Sequence, residues 1–273
     1  MSNSQRNAIT AIVFLGTIVP YLATAQKKNT ERQGELYFSW GYNTEWYTHS
    51  NVHVVQSELG NNYTFTNIRG HDHRGWDDAL FTKALTIPQY NYRLGYFFNK
   101  KKDLAIEINF DHTKFIFADQ DAHLTGTLSG KRVDTTLAFN EKNGFFYYLN
   151  NGANFLLFNI VKRWGLYHSY SENIKIDALG KAGIGPVIPH VENSFFGQKN
   201  EPHFQIGGWN VGVEGAIKVT FFKTIFFEFA NKIDYARYSN LKIYKGTARH
   251  AFGTYELIVN LGVTFPAGRK TRG

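Results

Sequence analysis

Residues 208–221 read GWNVGVEGAIKVTF, and their side chains alternate between two kinds. One set of alternate positions, or parity, carries bulky apolar residues such as Val213 and Ile217. The other parity carries small or polar residues such as Glu214 and Lys218. A period of two residues is typical of a β-strand with two chemically different faces. The face that points inward therefore decides whether this strand belongs to a soluble protein or to a membrane protein.

Eight segments of the chain have this strand character, and most show the same alternation. The fourth is apolar on both parities, so its register cannot be read from the sequence. Short connections alternate with long ones along the chain, and both termini fall on the side of the short connections. This pattern predicts an all-β fold, an antiparallel up-and-down barrel of about eight strands. The predicted strands are 34–47, 87–98, 103–117, 145–162, 173–187, 208–221, 224–238 and 250–265.

The composition agrees with an all-β chain. The 273 residues include 24 Phe, 16 Tyr and 25 Gly but a single Met and no Cys, which favours strands and tight turns. Without cysteine there is no disulfide, no thiolate metal site and no cysteine nucleophile. No Pro/Gly/Ser linker or internal charge run marks a second domain.

The first 25 residues have the features of an export signal. Arg6 gives the N-terminal region a positive charge, an apolar run follows over residues 8–19, and Ala23-Thr24-Ala25 fits a small-x-small cleavage site. We therefore expect a cleaved signal peptide over 1–25 and one barrel domain over 26–273. The net charge of +8 alone would allow a nucleic-acid partner, but export removes the chain from that compartment.

The size of the apolar side chains and the placement of the aromatic residues indicate which face of the strands points inward. An eight-stranded barrel has an interior just wide enough for its own side chains, so the bulky apolar parity would overfill it. Aromatic residues such as Trp40, Phe97, Trp209 and Phe265 also gather near the strand ends, as in the girdles of membrane barrels. We therefore expect the apolar parity to face lipid and the polar parity to form a charged lumen. The predicted lumen network is Glu45, Arg93, Glu107, Asp111, Lys175, Asp177, Lys181, Glu214, Lys218, Glu228, Lys232, Asp234 and Glu256.

With these features the chain resembles the eight-stranded bacterial outer-membrane β-barrel proteins over most of residues 34–265. The resemblance lies in the strand count, the alternation of connections and the final strand YELIVNLGVTF, which ends on Phe265. It implies long extracellular loops, short periplasmic turns and a terminal strand used in assembly. It also implies contact with outer-membrane lipid and lipopolysaccharide, and with other envelope proteins. The chain differs from the family by continuing past Phe265 to Gly273.

The first long connection contains the polar stretch RGHDHRGWDD, residues 69–78. His71 and His73 alternate as two metal ligands on a strand would, and His71 with Asp72 could act as an acid/base pair. Related palmitoyl transfer barrels use His, Asp and Ser from their loops, for which Ser57 would be available here. Because no third ligand is fixed by spacing, a solvated loop explains the stretch equally well, and we predict no cofactor.

The end of the seventh strand, ARYSNL, resembles a fragment of the His-x-Ser-Asn motif of the outer-membrane lipid A deacylases. Ser239 and Asn240 align with the nucleophile of that family and its following Asn, but Arg237 stands in place of the base His. Arginine stays protonated and cannot accept the serine proton. His250, across the last long connection, is the alternative base.

The sequence thus predicts a non-enzymatic outer-membrane barrel, because no catalytic constellation is complete. Such a barrel would be a membrane scaffold that displays loops for binding or serves as a subunit of an envelope complex. Two alternatives remain at this level. One is an outer-membrane enzyme that modifies lipid A acyl chains, and the other is a soluble lipocalin-like binder whose apolar face would point inward.

Overall fold

A computed structural model describes residues 32–73, 88–99, 103–171 and 173–270 of the chain. The predicted signal peptide, 1–25, lies outside these residues. In the described part of the chain, no helix has the length and apolarity needed to cross a membrane. Helical geometry there is confined to two 3₁₀ turns, Ser57–Leu59 and Glu141–Asn143.

Eight long strands form a closed antiparallel ring, which confirms the predicted barrel. Each strand pairs with the next, and the last strand pairs with the first from Gly34↔Ala267 to Tyr47↔Thr254, so that no edge is left in the ring. In ring order the strands are β1 (Arg32–Tyr47), β5 (Tyr90–Asn99), β6 (Leu104–Asp111), β11 (Phe155–His168), β12 (Ile174–Pro186), β16 (Gly208–Phe221), β17 (Ile225–Ile243) and β18 (Gly246–Lys270).

The fourth barrel strand differs from the prediction. The prediction places it at 145–162, with a turn over the residues that follow, whereas β11 begins at Phe155 and continues to His168. Its last residues pair with β12 alone, across a bulge between Gly165 and Tyr167, so this hairpin projects beyond the barrel rim. The residues before β11 belong to a separate sheet, because their aromatic side chains pack into a second core.

The strand β16 shows which face of the barrel wall is inside. Along β16 the exposure alternates at every residue, with Val213 56% exposed and its neighbour Glu214 only 6% exposed. The apolar parity points away from the barrel and the polar parity points into the lumen. A lipocalin-like barrel would have the opposite arrangement.

Large apolar side chains cover the outside of the ring. Because no other part of the described chain covers them, they form a surface suited to the hydrocarbon of a membrane rather than to water. Paired aromatic rings bound this surface on the side of the long connections, with 5.8 Å between the ring centres of Trp46 and Tyr255 and the same distance between Trp209 and Tyr235. The exposed apolar side chains include Phe38, Leu94, Ile106, Ile108, Phe158, Ile160, Ile184, Val211, Val213, Ile217, Phe227, Phe229, Ile233, Val259 and Leu261.

The described parts of the long connections fold into a compact β-sandwich, which we call the cap. One of its sheets continues from the barrel wall in the order β18-β2-β3-β8-β9, and the other has the order β14-β13-β10-β7-β4, with β15 paired to β13. The cap strands are β2 (Ser50–Gln56), β3 (Asn61–Ile68), β4 (Gly70–His71), β7 (Phe115–Phe117), β8 (Gln120–Leu128), β9 (Lys131–Phe139), β10 (Phe146–Leu149), β13 (His190–Phe195), β14 (Gln198–Lys199) and β15 (His203–Phe204).

Aromatic packing between the two sheets holds the cap together. Phe65 is fully buried, and its ring centre lies 5.3 Å from that of Phe139, 5.9 Å from that of Phe145 and 5.9 Å from that of Phe195. These four rings come from three separate long connections. The connections predicted as loops are therefore ordered by one shared hydrophobic core, which no single connection could bury by itself.

A charge placed on the lipid-facing surface tests the orientation of the barrel. Val213→Lys should lower the free energy of unfolding by about 2–4 kcal/mol, because a lysine near the bilayer midplane loses its hydration. The matched control is Thr136→Lys, which adds the same charge at an exposed position of the cap. Reversible refolding into lipid vesicles measures both variants. An equal, small effect of the two substitutions would show that the outer surface does not face lipid.

A large-to-small change in the cap core tests whether the sandwich is a folded unit. Phe65→Ala should cost about 3–5 kcal/mol through lost burial and the cavity that remains. Cleavage within 50–73 and 112–154 by a protease should then begin at lower urea, while the barrel keeps its compact mobility on unheated gels. Phe204→Ala, at a position that is 59% exposed, is the control and should leave the cleavage pattern unchanged.

Candidate functional site: the charged lumen and the cap

The lumen is crossed by ion pairs between strands that stand on opposite sides of the ring. Arg93 on β5 lies 3.2 Å from the carboxylate of Glu214 on β16, and β5 and β16 are four strands apart in a ring of eight. Lys232 on β17 lies 2.5 Å from Asp111 on β6, which is again four strands away. These contacts tie the opposite walls of the barrel to each other through its centre.

Shared carboxylates join these pairs into one network, which we call the upper network. Asp111 also binds Arg93, at 2.6 Å, and so bridges the two cations. Lys181 contacts three carboxylates, at 3.2, 2.9 and 2.8 Å, which belong to Glu107, Glu214 and Glu228 respectively. Every cation of the network has at least two carboxylates within 4 Å.

The acidic end of the upper network lies beneath the cap. Lys232 contacts Glu256 at 3.1 Å and Asp234 at 3.5 Å. Glu45, which is directly opposite Glu256 in the β1–β18 register, accepts hydrogen bonds from Asn43 Nδ2, at 2.6 Å, and from Tyr47 Oη. This group of carboxylates connects the lumen to the first residues of the cap.

Below the upper network, a layer of apolar side chains fills the lumen. Tyr37, Phe97 and Phe226 are its largest members, and all eight barrel strands contribute to it. The ring of Tyr37 lies against Gly95, where a Cβ atom would come within 2.1 Å of the ring, so a small residue is required at that position. Phe97 was predicted as part of an aromatic girdle, and this is wrong, because its side chain is buried in the lumen. The other members are Ala105, Val161, Leu179, Ala216, Ala230 and Ile258.

A second charged group, the lower network, lies at the end with the short turns. Arg163 contacts Glu35 at 3.0 Å and Asp103 at 2.9 Å, and its guanidinium lies 4.0 Å from the centre of the Phe97 ring. Lys218 lies 3.7 Å from Glu35 and 4.0 Å from the centre of the Phe226 ring. The lower network therefore rests directly on the apolar layer.

An open cavity of about 590 Å³ lies at this mouth of the barrel. Its walls include Glu35, Arg163 and the pair Lys175–Asp177, in which the charged atoms are 3.1 Å apart. Of the predicted lumen charges, Lys175 is the one that stays partly exposed, because it lies at this mouth. No residue of the apolar layer lines this cavity, and Arg163 in its wall lies over the Phe97 ring of that layer, so the cavity is a vestibule rather than a channel.

The structure does not bring the candidate catalytic residues together. The His250 side chain points into the cap core, where its ring stacks on that of Tyr238 at 4.8 Å between centres. Its Nδ1 atom lies 3.4 Å from the hydroxyl of Ser50, not from that of Ser239. Ser239 is half-buried at the β17 bulge, and its backbone N–H donates to Gly207. Surrounded by aromatic rings, His250 has the contacts of a core residue.

The predicted residues of the first long connection have separate local partners. His71 Nδ1 lies 2.9 Å from the carbonyl oxygen of Asp72, and His73 Nδ1 lies 2.8 Å from Asn150 Oδ1. The Asp72 carboxylate accepts hydrogen bonds from the Thr44 hydroxyl and the Glu45 N–H. Among the residues that the structure describes, no group of three His, Cys, Asp or Glu side chains is placed to hold a metal ion.

The outer face of the cap presents an aromatic pair that sequence reasoning missed. The rings of Phe146 and Tyr148 stack on β10 with 4.9 Å between their centres, and the Tyr148 hydroxyl donates to Glu141. Partial burial, together with the carboxylates of Glu141, Asp119 and Glu192, raises the pKa of Tyr148 above its ordinary value. The fourth predicted strand gave no signal of this surface because both of its parities are apolar.

No model of a known protein family matches the sequence, and no match is found among curated proteins. Solved structures of outer-membrane β-barrels are similar in fold. Neisserial surface protein A is 8% identical, with a TM-score of 0.34 over 84% of this chain and 96% of that one. The N-terminal barrel domain of Pseudomonas aeruginosa OprF is also 8% identical, with a TM-score of 0.35 over 86% and 98%.

The attachment invasion locus protein Ail of Yersinia pestis is 15% identical, with a TM-score of 0.31 over 85% of this chain and 99% of that one. At such low identities and TM-scores, these similarities carry no information about ligand or activity. The assignment as a membrane barrel rests on the closed ring of strands, its apolar outer surface and its charged lumen.

Proposed function

We propose that this chain is a non-enzymatic protein of a bacterial outer membrane, in which a filled barrel anchors the folded cap at the cell surface. The observation that carries the proposal is the filled lumen beneath an ordered sandwich. Ion pairs and an apolar layer occupy the interior, so the surfaces left for interaction are those of the cap and of the barrel mouth. The cap would bind a partner directly or serve as a subunit of an envelope complex.

The location follows from the physical demands of the barrel. A strand that crosses a bilayer must have all its backbone groups paired, and a closed ring meets this demand without an edge. The apolar outer surface and its aromatic borders fit hydrocarbon, and closed barrels of this kind are typical of bacterial outer membranes. Residues 1–25 would be the cleaved export signal that directs the chain there.

An enzymatic role has no support from the geometry. Arg237 stands where the deacylase motif has its base, His250 is enclosed by aromatic rings, and Ser239 makes no side-chain hydrogen bond to any residue that the structure describes. A general base must reach the proton it removes. The barrel and cap are therefore better explained as a scaffold.

Membrane extraction tests the proposed location. The protein should sediment with the outer-membrane fraction, should require detergent for release, and should migrate faster on gels before heating than after. Sequencing of the mature N-terminus should begin at Gln26. Release into the aqueous fraction without detergent would overturn the membrane assignment, and an N-terminus at Met1 would overturn the cleaved signal alone.

Conductance tests the filled lumen. The purified protein in a planar bilayer should show no stable nanosiemens-scale channels, because Arg93 and Lys232 bridge opposite walls above the apolar layer. Phe226→Ala, which opens that layer, should raise the frequency of small conductance events, whereas Phe227→Ala on the lipid-facing side should not. Large stable channels in the unmodified protein would show that the lumen is open.

A further inference from the structure

A pair of arginines lies on the outside of the barrel, directly above the aromatic border on the side of the cap. Arg237 on β17 is opposite Trp209 in the β16–β17 register and lies two residues beyond Tyr235 on the same face. Both Arg237 and Arg249, on β18, are exposed. Since interfacial Trp and Tyr mark the boundary of the hydrocarbon, these arginines lie at the depth of the lipid headgroups.

The two arginines are close neighbours on one surface. The residue opposite Arg237 on β18 is Ala251, and Arg249 is two residues further along that strand, so the two are diagonal neighbours. Diagonal cross-strand positions on one face are about 7–8 Å apart, within reach of long side chains. Lys242, exposed on the same face of β17, adds a third cation farther from the membrane.

No counter-charge accompanies this pair in the part of the chain that the structure describes. Neither arginine has an ion pair or a side-chain hydrogen bond to any described residue, in contrast to Arg93 and Arg163 in the lumen. The neighbour of Arg249 across the β18–β2 register is His53, a half-buried base. Burial and the nearby Arg249 cation lower the pKa of His53 below its ordinary value, so this neighbour adds no negative charge beside the arginines.

Two guanidinium groups held side by side repel each other unless an anion lies between them. Guanidinium forks match the oxygens of a phosphate with two parallel hydrogen bonds, and this makes arginine pairs effective phosphate ligands. At headgroup depth in an outer leaflet, the available phosphates belong to phosphorylated glycolipid. Anionic headgroups are attracted to basic residues at this position next to a membrane.

We propose that Arg237 and Arg249 bind a phosphate group of a phosphorylated glycolipid headgroup in the outer leaflet, with Lys242 adding attraction from above. The proposal rests on the outer-membrane location argued above. It gives a role to Arg237, the residue that departs from the hydrolase motif. Binding here would fix the height of the barrel in the membrane and support the base of the cap.

The test is lipid retention by the full-length protein in phosphatidylcholine nanodiscs doped with bisphosphorylated lipid A, measured by native mass spectrometry. The double variant Arg237→Gln/Arg249→Gln should bind this lipid at least about tenfold more weakly than the unmodified protein, because two charge-assisted contacts are lost. The control Lys131→Gln/Arg132→Gln removes two exposed charges from β9, the far edge of the cap sheet, and should bind normally.

Two further arms identify the source of the phosphate. Lipid A stripped of its phosphates should bind the unmodified protein and the arginine variant equally. Inorganic phosphate should not displace the bisphosphorylated lipid, and full displacement by it would overturn the lipid assignment in favour of a free-anion site.

Equal retention of the bisphosphorylated lipid by the unmodified protein and the arginine variant would overturn the proposal, provided that both show compact mobility on unheated gels. This result would leave the proposed function intact, because the chain would still be inserted in nanodiscs. A chain that does not enter nanodiscs at all would instead overturn the proposed location, and the inference with it.

Discussion

Backbone hydrogen bonding along β18 is the interaction on which the rest of the molecule depends. This strand pairs with β17 on one side for most of its length, and on its other side it pairs first with β2 and then with β1. The pairing with β1 closes the ring, which a membrane requires because unpaired backbone groups in hydrocarbon are costly. The pairing with β2 carries the same sheet above the membrane. One strand thus joins a closed barrel to an open sandwich without a break in hydrogen bonding.

The lumen shows how a narrow barrel can hold many charges. A buried ion without a partner costs several kcal/mol, so the charges must be satisfied locally. In the upper network, charged groups share partners. Asp111 forms ion pairs with both Arg93 and Lys232, and Lys181 is surrounded by three carboxylates. The apolar layer that separates the two networks keeps each of them compact. Rigidity across the barrel is the physical result, since each pair holds two walls at a fixed distance.

The arginines on the outside contrast with those inside. Arg93 is enclosed and forms ion pairs with Asp111 and Glu214, while Arg237 and Arg249 are exposed beside an aromatic border and lack a described partner. The same side chain therefore has a structural role in the lumen and is available to a ligand on the surface. The cap adds a second surface in the stacked, half-buried pair of Phe146 and Tyr148. Both surfaces face away from the lumen, as expected of a barrel that anchors rather than conducts.

Local pattern was sufficient to predict most of the barrel. In GWNVGVEGAIKVTF, the alternation itself predicts a strand with one apolar and one polar face, and the structure has β16 at these same bounds. Six other strands were found in the same way, because side-chain direction in a strand has a fixed period of two, whereas the fourth shows no alternation and its bounds were wrong. The bulk of the apolar parity also indicated correctly that it points outward, since an eight-stranded interior has no room for it.

Contacts between distant parts of the chain could not be predicted in this way. Glu214 and Lys218 lie opposite Lys232 and Glu228 in the β16–β17 register, yet Glu214 reaches Arg93 on the far wall, and Lys218 lies nearest to Glu35. Closure of the ring brings these partners together across the lumen, and alternation carries no information about closure.

The inward position of Phe97 and the assembly of the cap have the same origin. Phe97 is enclosed because all eight strands meet around it, and the cap core forms only when rings from three connections meet. The sequence by itself thus determined the strands and their two faces, which depend on neighbours in the chain. Tertiary structure alone decided the ion pairs, the apolar layer and the sandwich, because each depends on residues that only folding brings within contact distance.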